Sequence, residues 1–238
     1  MLRRDVRIRR GIDTLSSSFR NTTAGGRGVA SPAILHVMSS AAVILAAGAG
    51  TRFTGRDHKL LALLAGRSLI DHAVDSAHEA SIGPVLVIAG ALDPDTLRAA
   101  CTSIDDNSTI TLIANPNWEA GQSSSLLLAA QTAAGMDCSA IVVALGDQPH
   151  ITPTAWRAVA ASNAPLAVAD YNGHRGHPVR IHADLFNELP SAGDVGARGL
   201  LQRHVHLVEP VPCAGSAADI DTVEELEQWP RPSPTNSP

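Results

Sequence analysis

The stretch Val43–Leu61, VILAAGAGTRFTGRDHKLL, joins an apolar run to a glycine-rich turn and then to a lysine. Val43–Ala46 is short and unbroken by polar residues, the pattern of a strand buried on both faces. Gly48 and Gly50 let the backbone turn tightly and present N–H groups to an anion. Arg52 and Lys59 add positive charge, and Lys59 is the only lysine among 18 lysines and arginines. The turn departs from the dinucleotide fingerprint, which wants glycine where Phe53 stands, and it lacks the spacing of a Walker loop. Taken alone it also reads as an ordinary strand-to-helix turn.

The same alternation continues outward. Candidate strands follow at Val85–Ala89, Thr109–Ala114, Ile141–Leu145, Leu166–Ala169, Pro178–Ile181 and Val205–Val208, bounded by Gly, Pro, Asn or Asp. Helical patterns lie at Leu69–Ala80, Pro94–Cys101, Ser123–Ala134 and Pro153–Ala161. Asp93 before Pro94 and Thr152 before Pro153 read as N-caps followed by proline at the first helical position. Strands alternating with helices predict an α/β fold, a Rossmann-like three-layer sandwich around a mostly parallel sheet. The pattern loosens after Leu166, where shorter strands and an antiparallel element are expected. One domain without a linker is expected over 39–229.

Composition narrows the function classes. Apolar residues make up 45% of the chain and aromatics 3%, so the core is built from Ala, Val, Leu and Ile. The net charge of −5 gives no sign of nucleic-acid binding by the body of the protein. No window stays apolar for the roughly 18 residues that a membrane helix needs, so no membrane partner is expected. Cys101, Cys138 and Cys213 lie far apart without metal or redox spacing and suit a reducing cytoplasm. Residues 1–38 are rich in Arg, Ser and Gly and have no apolar period. They read as a disordered basic extension or as translated sequence upstream of a start at Met38, with a transit-type leader as the alternative. The tail at 230–238 is proline-rich and polar and is expected to be disordered.

In folds of this class ligands bind beyond the carboxyl ends of the strands. After the fourth strand comes LGDQPHITP, where Asp147 suits a Mg²⁺ ligand or, more plainly, a turn before proline. In ADIDTVEELEQW, Asp219 and Asp221 flank Ile220 and face one side of an extended segment. The plain alternative there is a helix N-terminus capped by Asp221 or Thr222. Ser123 and Ser124, at a helix start, suit nucleotide binding or capping equally. His204 and His206, two apart on the expected last strand, lack a third metal ligand and read as surface histidines. A glycine turn, Arg52, Lys59 and two separate carboxylate positions together make what a Mg²⁺–triphosphate site needs.

These motifs carry a resemblance. LAAGAGTRF, then NPNWEAGQSSSLLLA (Asn115–Ala129), LGDQPHITP, GHRGHPVRI (Gly173–Ile181), GDVGARGLL (Gly193–Leu201) and DIDTVEEL (Asp219–Leu226) come in order. In this the chain resembles nucleotidyltransferases of the molybdenum-cofactor type, which have the nucleotide-diphosphosugar transferase fold. The guanylyl-transferring branch usually has a second glycine pair where this chain has Ala46-Ala47-Gly48, so the alanines resemble the cytidylyl-transferring branch.

The resemblance implies transfer of CMP from CTP, or of another nucleotide from its NTP, to the phosphate of molybdopterin, with release of pyrophosphate. It implies Arg52, Lys59, Asp147 and Asp221 as catalytic residues, with Mg²⁺ on Asp147 and on Asp221 beside Asp219. Nucleotide contacts fall on Leu45, Ala46, Ala47, Gly48, Gly50, Thr51, Gly90, Ser123 and Ser124. Acceptor contacts fall on Arg175, Gly176 and His177, at a turn entering a strand, and on Asp194 and Arg198, in a second glycine-rich turn. A molybdoenzyme or its chaperone is the partner it suggests. Other phosphorylated small molecules remain as acceptors, though methylerythritol enzymes usually have a lysine near the last Asp motif and this chain has none. A non-catalytic cofactor chaperone would not need Lys59, Asp147 and Asp221 together. A dinucleotide-dependent oxidoreductase is disfavoured by Phe53 and by the missing acid after the second strand.

Overall fold

The computed structural model describes residues 40–51, 53, 58–104 and 109–228. Residues 1–38, the tail at 230–238 and Arg52 lie outside them, so the expectations placed there concern residues not described.

The first strand, β1 (Ser40–Ala46), is buried at every position, as its unbroken apolar sequence predicts. A small hairpin, β2 (Leu63–Leu64) and β3 (Arg67–Ser68), leads into α1 (Leu69–Ala80). Then come β4 (Val85–Ala89), α2 (Pro94–Ala100), β5 (Ile110–Ala114), α3 (Gln122–Gly135), β6 (Ala140–Leu145) and α4 (Pro153–Ala160). The last part holds β7 (Leu166–Tyr171), β8 (His174–His182), α5 (Gly196–Arg203), β9 (Val208–Pro212) and α6 (Val223–Gln228).

The seven longer strands form one sheet in the order β5-β4-β1-β6-β8-β7-β9. β1, β4, β5 and β6 are parallel, with Ile44 of β1 level with Val87 and Ala144. β8 is antiparallel to both of its neighbours, which is the expected antiparallel element. Alternate residues of β1 feed two cores. Ala42, Ile44 and Ala46 pack with Ile70, Val74 and Trp156 of α1 and α4, while Val43 and Leu45 pack with Leu126, Ala130 and Leu200 of α3 and α5. This is the three-layer arrangement that buried parallel strands require.

Capping sets where the helices begin. Asp93 accepts hydrogen bonds from the N–H groups of Asp95 and Thr96, and Thr152 accepts one from Ala155, each with proline at the head of its helix as the sequence predicts. Ser68 caps α1 through the N–H of Asp71.

The structure corrects three expectations in the last third. Val205–Val208 is not a strand: Val205–Leu207 is a 3₁₀ turn, and the edge strand starts at Val208. His204 therefore ends α5, and its ring meets Glu188 at 2.6 Å rather than pairing with His206 along a strand. Arg175, Gly176 and His177 do not form a turn entering a strand. The turn is Asn172-Gly173, at φ 56° and 91°, and the three residues already belong to β8. An Asn-Gly pair is the strongest short hairpin signal, since both residues tolerate positive φ. Finally, Arg198 lies on α5 and not in the glycine-rich turn with Asp194.

Candidate functional site

The carboxyl ends of the parallel neighbours β1 and β6 border a cleft of about 370 Å³. Its floor and near wall are Leu45, Ala46, Ala47, Gly48, Gly50 and Thr51, the nucleotide contacts expected after β1. Gly50 has φ +63°, and a Cβ there would come within 3.0 Å of Lys59 Cβ, so the turn and the lysine need glycine together.

His58 braces this turn, a role that sequence reasoning missed. Its Nδ1 accepts from the N–H of Leu60 at 3.2 Å, which leaves Nε2 to carry the proton and donate to the carbonyl of Gly48 at 3.0 Å. Burial, reinforced by the charge of Lys59, lowers the His58 pKa against that hydrogen bond, so the neutral tautomer is favoured. The bond to Leu60 also starts the 3₁₀ turn Lys59–Leu61 that holds the lysine.

Lys59 is 6% exposed. Its Nζ lies 2.6 Å from Asp147 Oδ2 and 2.5 Å from Asp221 Oδ1. Burial alone would lower the lysine pKa, but the hydrogen bonds and charges of Asp147 and Asp221 outweigh it and raise the pKa.

Asp147 and Asp221 are far apart in sequence, and Gln148 joins them. Its Oε1 accepts from the N–H of Leu145, and its Nε2 donates to the carbonyl of Ala217 and to Asp219 Oδ1. The N–H of Ile220 donates to the carbonyl of Asp147, and Ile220 is fully buried. This seam lays residues 217–221 along the end of β6. Asp219 is thereby turned to Gln148 and away from the cleft lining, so the carboxylate pair is Asp147 and Asp221. Burial, joined by the neighbouring carboxylates, raises the Asp219 pKa.

The helix start and the carboxylate are both present at this seam. Thr222 Oγ1 accepts from the N–H of Glu225, and Glu225 Oε2 accepts from the N–H groups of Asp221 and Thr222. This reciprocal cap of α6 leaves the Asp221 side chain to Lys59.

The far wall is the N-terminus of α3. Gly121, Gln122 and Ser125 line the cleft with Trp118 and Glu119. Ser123 and Ser124 do not. The Ser123 hydroxyl accepts from the N–H of Gly196, and Ser124 is bonded to Asn115, Asn117 and Gly121. Both serines hold the helix start together, and the next serine along faces the cleft. Trp118, Glu119, Gln122 and Ser125 were missed because a serine run does not by itself reveal which member points outward. Gly90 is likewise structural: a Cβ there would come within 2.7 Å of the Ala47 carbonyl and 2.6 Å of Trp118 Cβ.

The expected acceptor residues divide. Asp194 lines the cleft and accepts from the N–H of Gln122 at 3.3 Å. Arg175 is exposed on the hairpin, and Gly176 lies against Ala217. His177 is mostly buried within electrostatic reach of Asp147 and Arg198, and burial pushes its pKa down to about 4. His150 is also lowered to about 4 by burial.

Both histidines therefore stay neutral when folded and take up a proton near 6.5 when unfolded. Between these values the unfolded state binds more protons. Stability should fall as pH drops from 6.5 toward 4, at about 1.4 kcal/mol per pH unit for each histidine. Urea unfolding at pH 7, 6 and 5 measures the slope, and His177→Gln should flatten it. An unchanged slope in that variant would refute the assignment to His177.

No metal-binding group of three or more His, Cys, Asp or Glu side chains occurs among the described residues. In the cleft, Asp147 and Asp221 are the carboxylates that could hold a divalent cation. Asp147 Oδ1 is buried without a hydrogen-bond partner, an acceptor that a hard cation or its water would satisfy. The pair fits Mg²⁺, which takes few protein oxygens and keeps several waters. No helix among the described residues is long and apolar enough to cross a membrane.

Comparison with known proteins bears on family and fold. The family MobA-like NTP transferase domain matches residues 42–208. The bifunctional protein GlmU of Caulobacter vibrioides is 36% identical over 116 residues, covering 49% of this chain and 24% of that protein. The chain thus spans about a quarter of that relative's length. A homologue of Mycobacterium tuberculosis Rv0371c from Mycobacterium sp. strain JC1 superposes with TM-score 0.66 at 28% identity, covering 79% of this chain and 93% of that one. The inositol-1-phosphate CTP transferase of T. maritima superposes with TM-score 0.65 at 13% identity, covering 79% and 91%. The fold is that of the nucleotide-diphosphosugar transferases.

Proposed function

Because the chain belongs to the MobA-like NTP transferase family, we infer that it is a nucleotidyltransferase that moves CMP from CTP to the phosphate of molybdopterin and releases pyrophosphate. The observation that carries this reading is the meeting of Lys59, Asp147 and Asp221 beside the glycine turn after β1.

An oxygen of the acceptor phosphate attacks the α-phosphorus of CTP, and the bond from that phosphorus to the bridging oxygen of pyrophosphate breaks. The attacking oxygen is already ionised near neutral pH, so no general base is needed. The protein's work is positioning and charge neutralisation. Backbone N–H groups of Gly48–Thr51 and the N-terminus of α3 would face the triphosphate, and Arg52 is the further cation that the sequence motif supplies. Lys59 answers the charge that builds on the α-phosphate, a task suited to a compact ammonium rather than a planar guanidinium. Asp147 and Asp221 would hold Mg²⁺, which when bound neutralises the triphosphate. Asp194, His177 and Arg198 supply the acceptor side, and a molybdoenzyme or its chaperone receives the product.

Cytidine is favoured by Ala46 and Ala47, at the end of β1 and the start of the turn, and by the likeness to a CTP transferase. That same likeness, to an enzyme named for inositol-1-phosphate, supports a second acceptor class, a phosphorylated sugar or polyol.

Thermal unfolding with Mg²⁺ and each of CTP, GTP, UTP and ATP tests the nucleotide. At a hundred times its dissociation constant CTP should add about 2.7 kcal/mol of stability. A larger shift with another nucleotide would overturn the cytidine assignment, and no shift with any would overturn the function. Pyrophosphate release with molybdopterin, set against inositol phosphate, then decides the acceptor.

A further inference from the structure

Lys59 holds both carboxylates that the proposed function assigns to a divalent cation. Its ammonium lies within 2.6 Å of one and 2.5 Å of the other, and the lysine side chain is 7% exposed. At these distances it occupies the space between the two acids. Yet the same ammonium is the charge that the proposed function sets against the α-phosphate. Two of its three N–H donors are taken by the acids, so turning fully to a phosphate means giving up at least one of them. Asp147 meanwhile keeps Oδ1 buried and unpartnered beside the oxygen that the lysine holds, so the ammonium satisfies the site only in part.

We propose that Lys59 is a built-in stand-in for the divalent cation, holding Asp147 and Asp221 together and releasing them when a nucleotide's phosphates take over its ammonium. The inference rests on the nucleotidyltransferase reading of the cleft. Without the lysine, two partly buried carboxylates would repel each other with only partial screening by water. With it, one of the two negative charges is offset and both acids are tied to a single ammonium. A free divalent cation must displace the ammonium while no anion is present to receive it. A cation that arrives with a triphosphate brings that anion along. Metal and nucleotide binding are therefore coupled, and by linkage each strengthens the other.

The test uses Mn²⁺ as the probe and the EPR signal of unbound Mn²⁺ as the readout, with no nucleotide present. The wild-type protein should bind Mn²⁺ weakly. Lys59→Met, which removes the charge but keeps the length, should bind it at least about tenfold more tightly. Lys59→Gln, which keeps hydrogen-bond donors between the acids, gives the same comparison if the Met variant does not fold. Adding Asp147→Asn to Lys59→Met should remove the gain. If neither neutral variant binds Mn²⁺ more tightly than wild type, the stand-in role is overturned. A parallel CTP thermal shift on the wild-type protein keeps the two readings apart. A CTP shift with no gain in Mn²⁺ affinity overturns the stand-in alone, whereas absence of the CTP shift overturns the nucleotidyltransferase reading itself.

Discussion

Replacing Lys59 with alanine should lower turnover by about 10²–10³, the usual loss when one charged contact to a transition state is removed. The effect is large because the residue has no understudy: it is the only lysine in the chain. A guanidinium is a poor replacement, since its planar fork prefers two-point contacts and needs more room than a site where the ammonium is 7% exposed allows. Lys59→Arg should therefore recover less than a tenth of the activity, by about the same argument. Pyrophosphate release from CTP and acceptor measures both variants, with far-UV circular dichroism to establish that they fold. Activity of Lys59→Ala within tenfold of wild type would remove the lysine from the chemistry.

The second large effect concerns stability, away from the cleft. Asp71, 1% exposed in the first turn of α1, accepts from Arg67 Nε at 2.7 Å and from the backbone N–H of Thr102 at 2.8 Å. Arg67 also reaches Asp75, and Ser103 donates to the same Asp75 carboxylate. This cluster clips β3, α1 and the end of α2 together. Asp71→Ala should cost about 3 kcal/mol, because it strips a buried backbone donor and an arginine of one partner at once. Burial acts to raise the Asp71 pKa, but the bonds to Arg67 and Thr102 prevail and lower it from 3.8. Its contribution is thus complete above the unfolded value and fades as pH falls through the lower folded value. Urea unfolding at pH 7 should reveal the deficit, and the gap between variant and wild type should narrow in strong acid. A deficit under 1 kcal/mol at pH 7, about the worth of one exposed pair, would show that the clip is incidental.

Much of this architecture is legible in the sequence because buried parallel strands leave unbroken apolar runs. Val43–Ala46, Val85–Ala89 and Ile141–Leu145 all fall within observed strands, and Asp93-Pro94 and Thr152-Pro153 mark true helix starts. The irregular last third is harder. Arg175 to His177 were misplaced because the Asn172-Gly173 signal was passed over, and β9, with Pro210 and Pro212, has little strand character. In the site, glycines and charges after strands were visible because position in the fold implies their direction. Side chains that act through distant partners were not. Gln148 reads as a turn residue until Ala217 and Asp219 are seen beside it, and the split roles of Ser123, Ser124 and Ser125 depend on the docking of Gly193 and Gly196.

The seam at Gln148 also sets a timetable for synthesis. The strands and the glycine turn that build most of the cleft leave the ribosome well before residues 217–221 do. A nascent chain can assemble the central sheet early, yet it presents Lys59 with Asp147 alone until the segment carrying Asp221 has emerged and docked. A chain that stopped between Pro212 and that segment would hold all seven strands of the sheet but only one of the two acids, with Gln148 left without its partners Ala217 and Asp219.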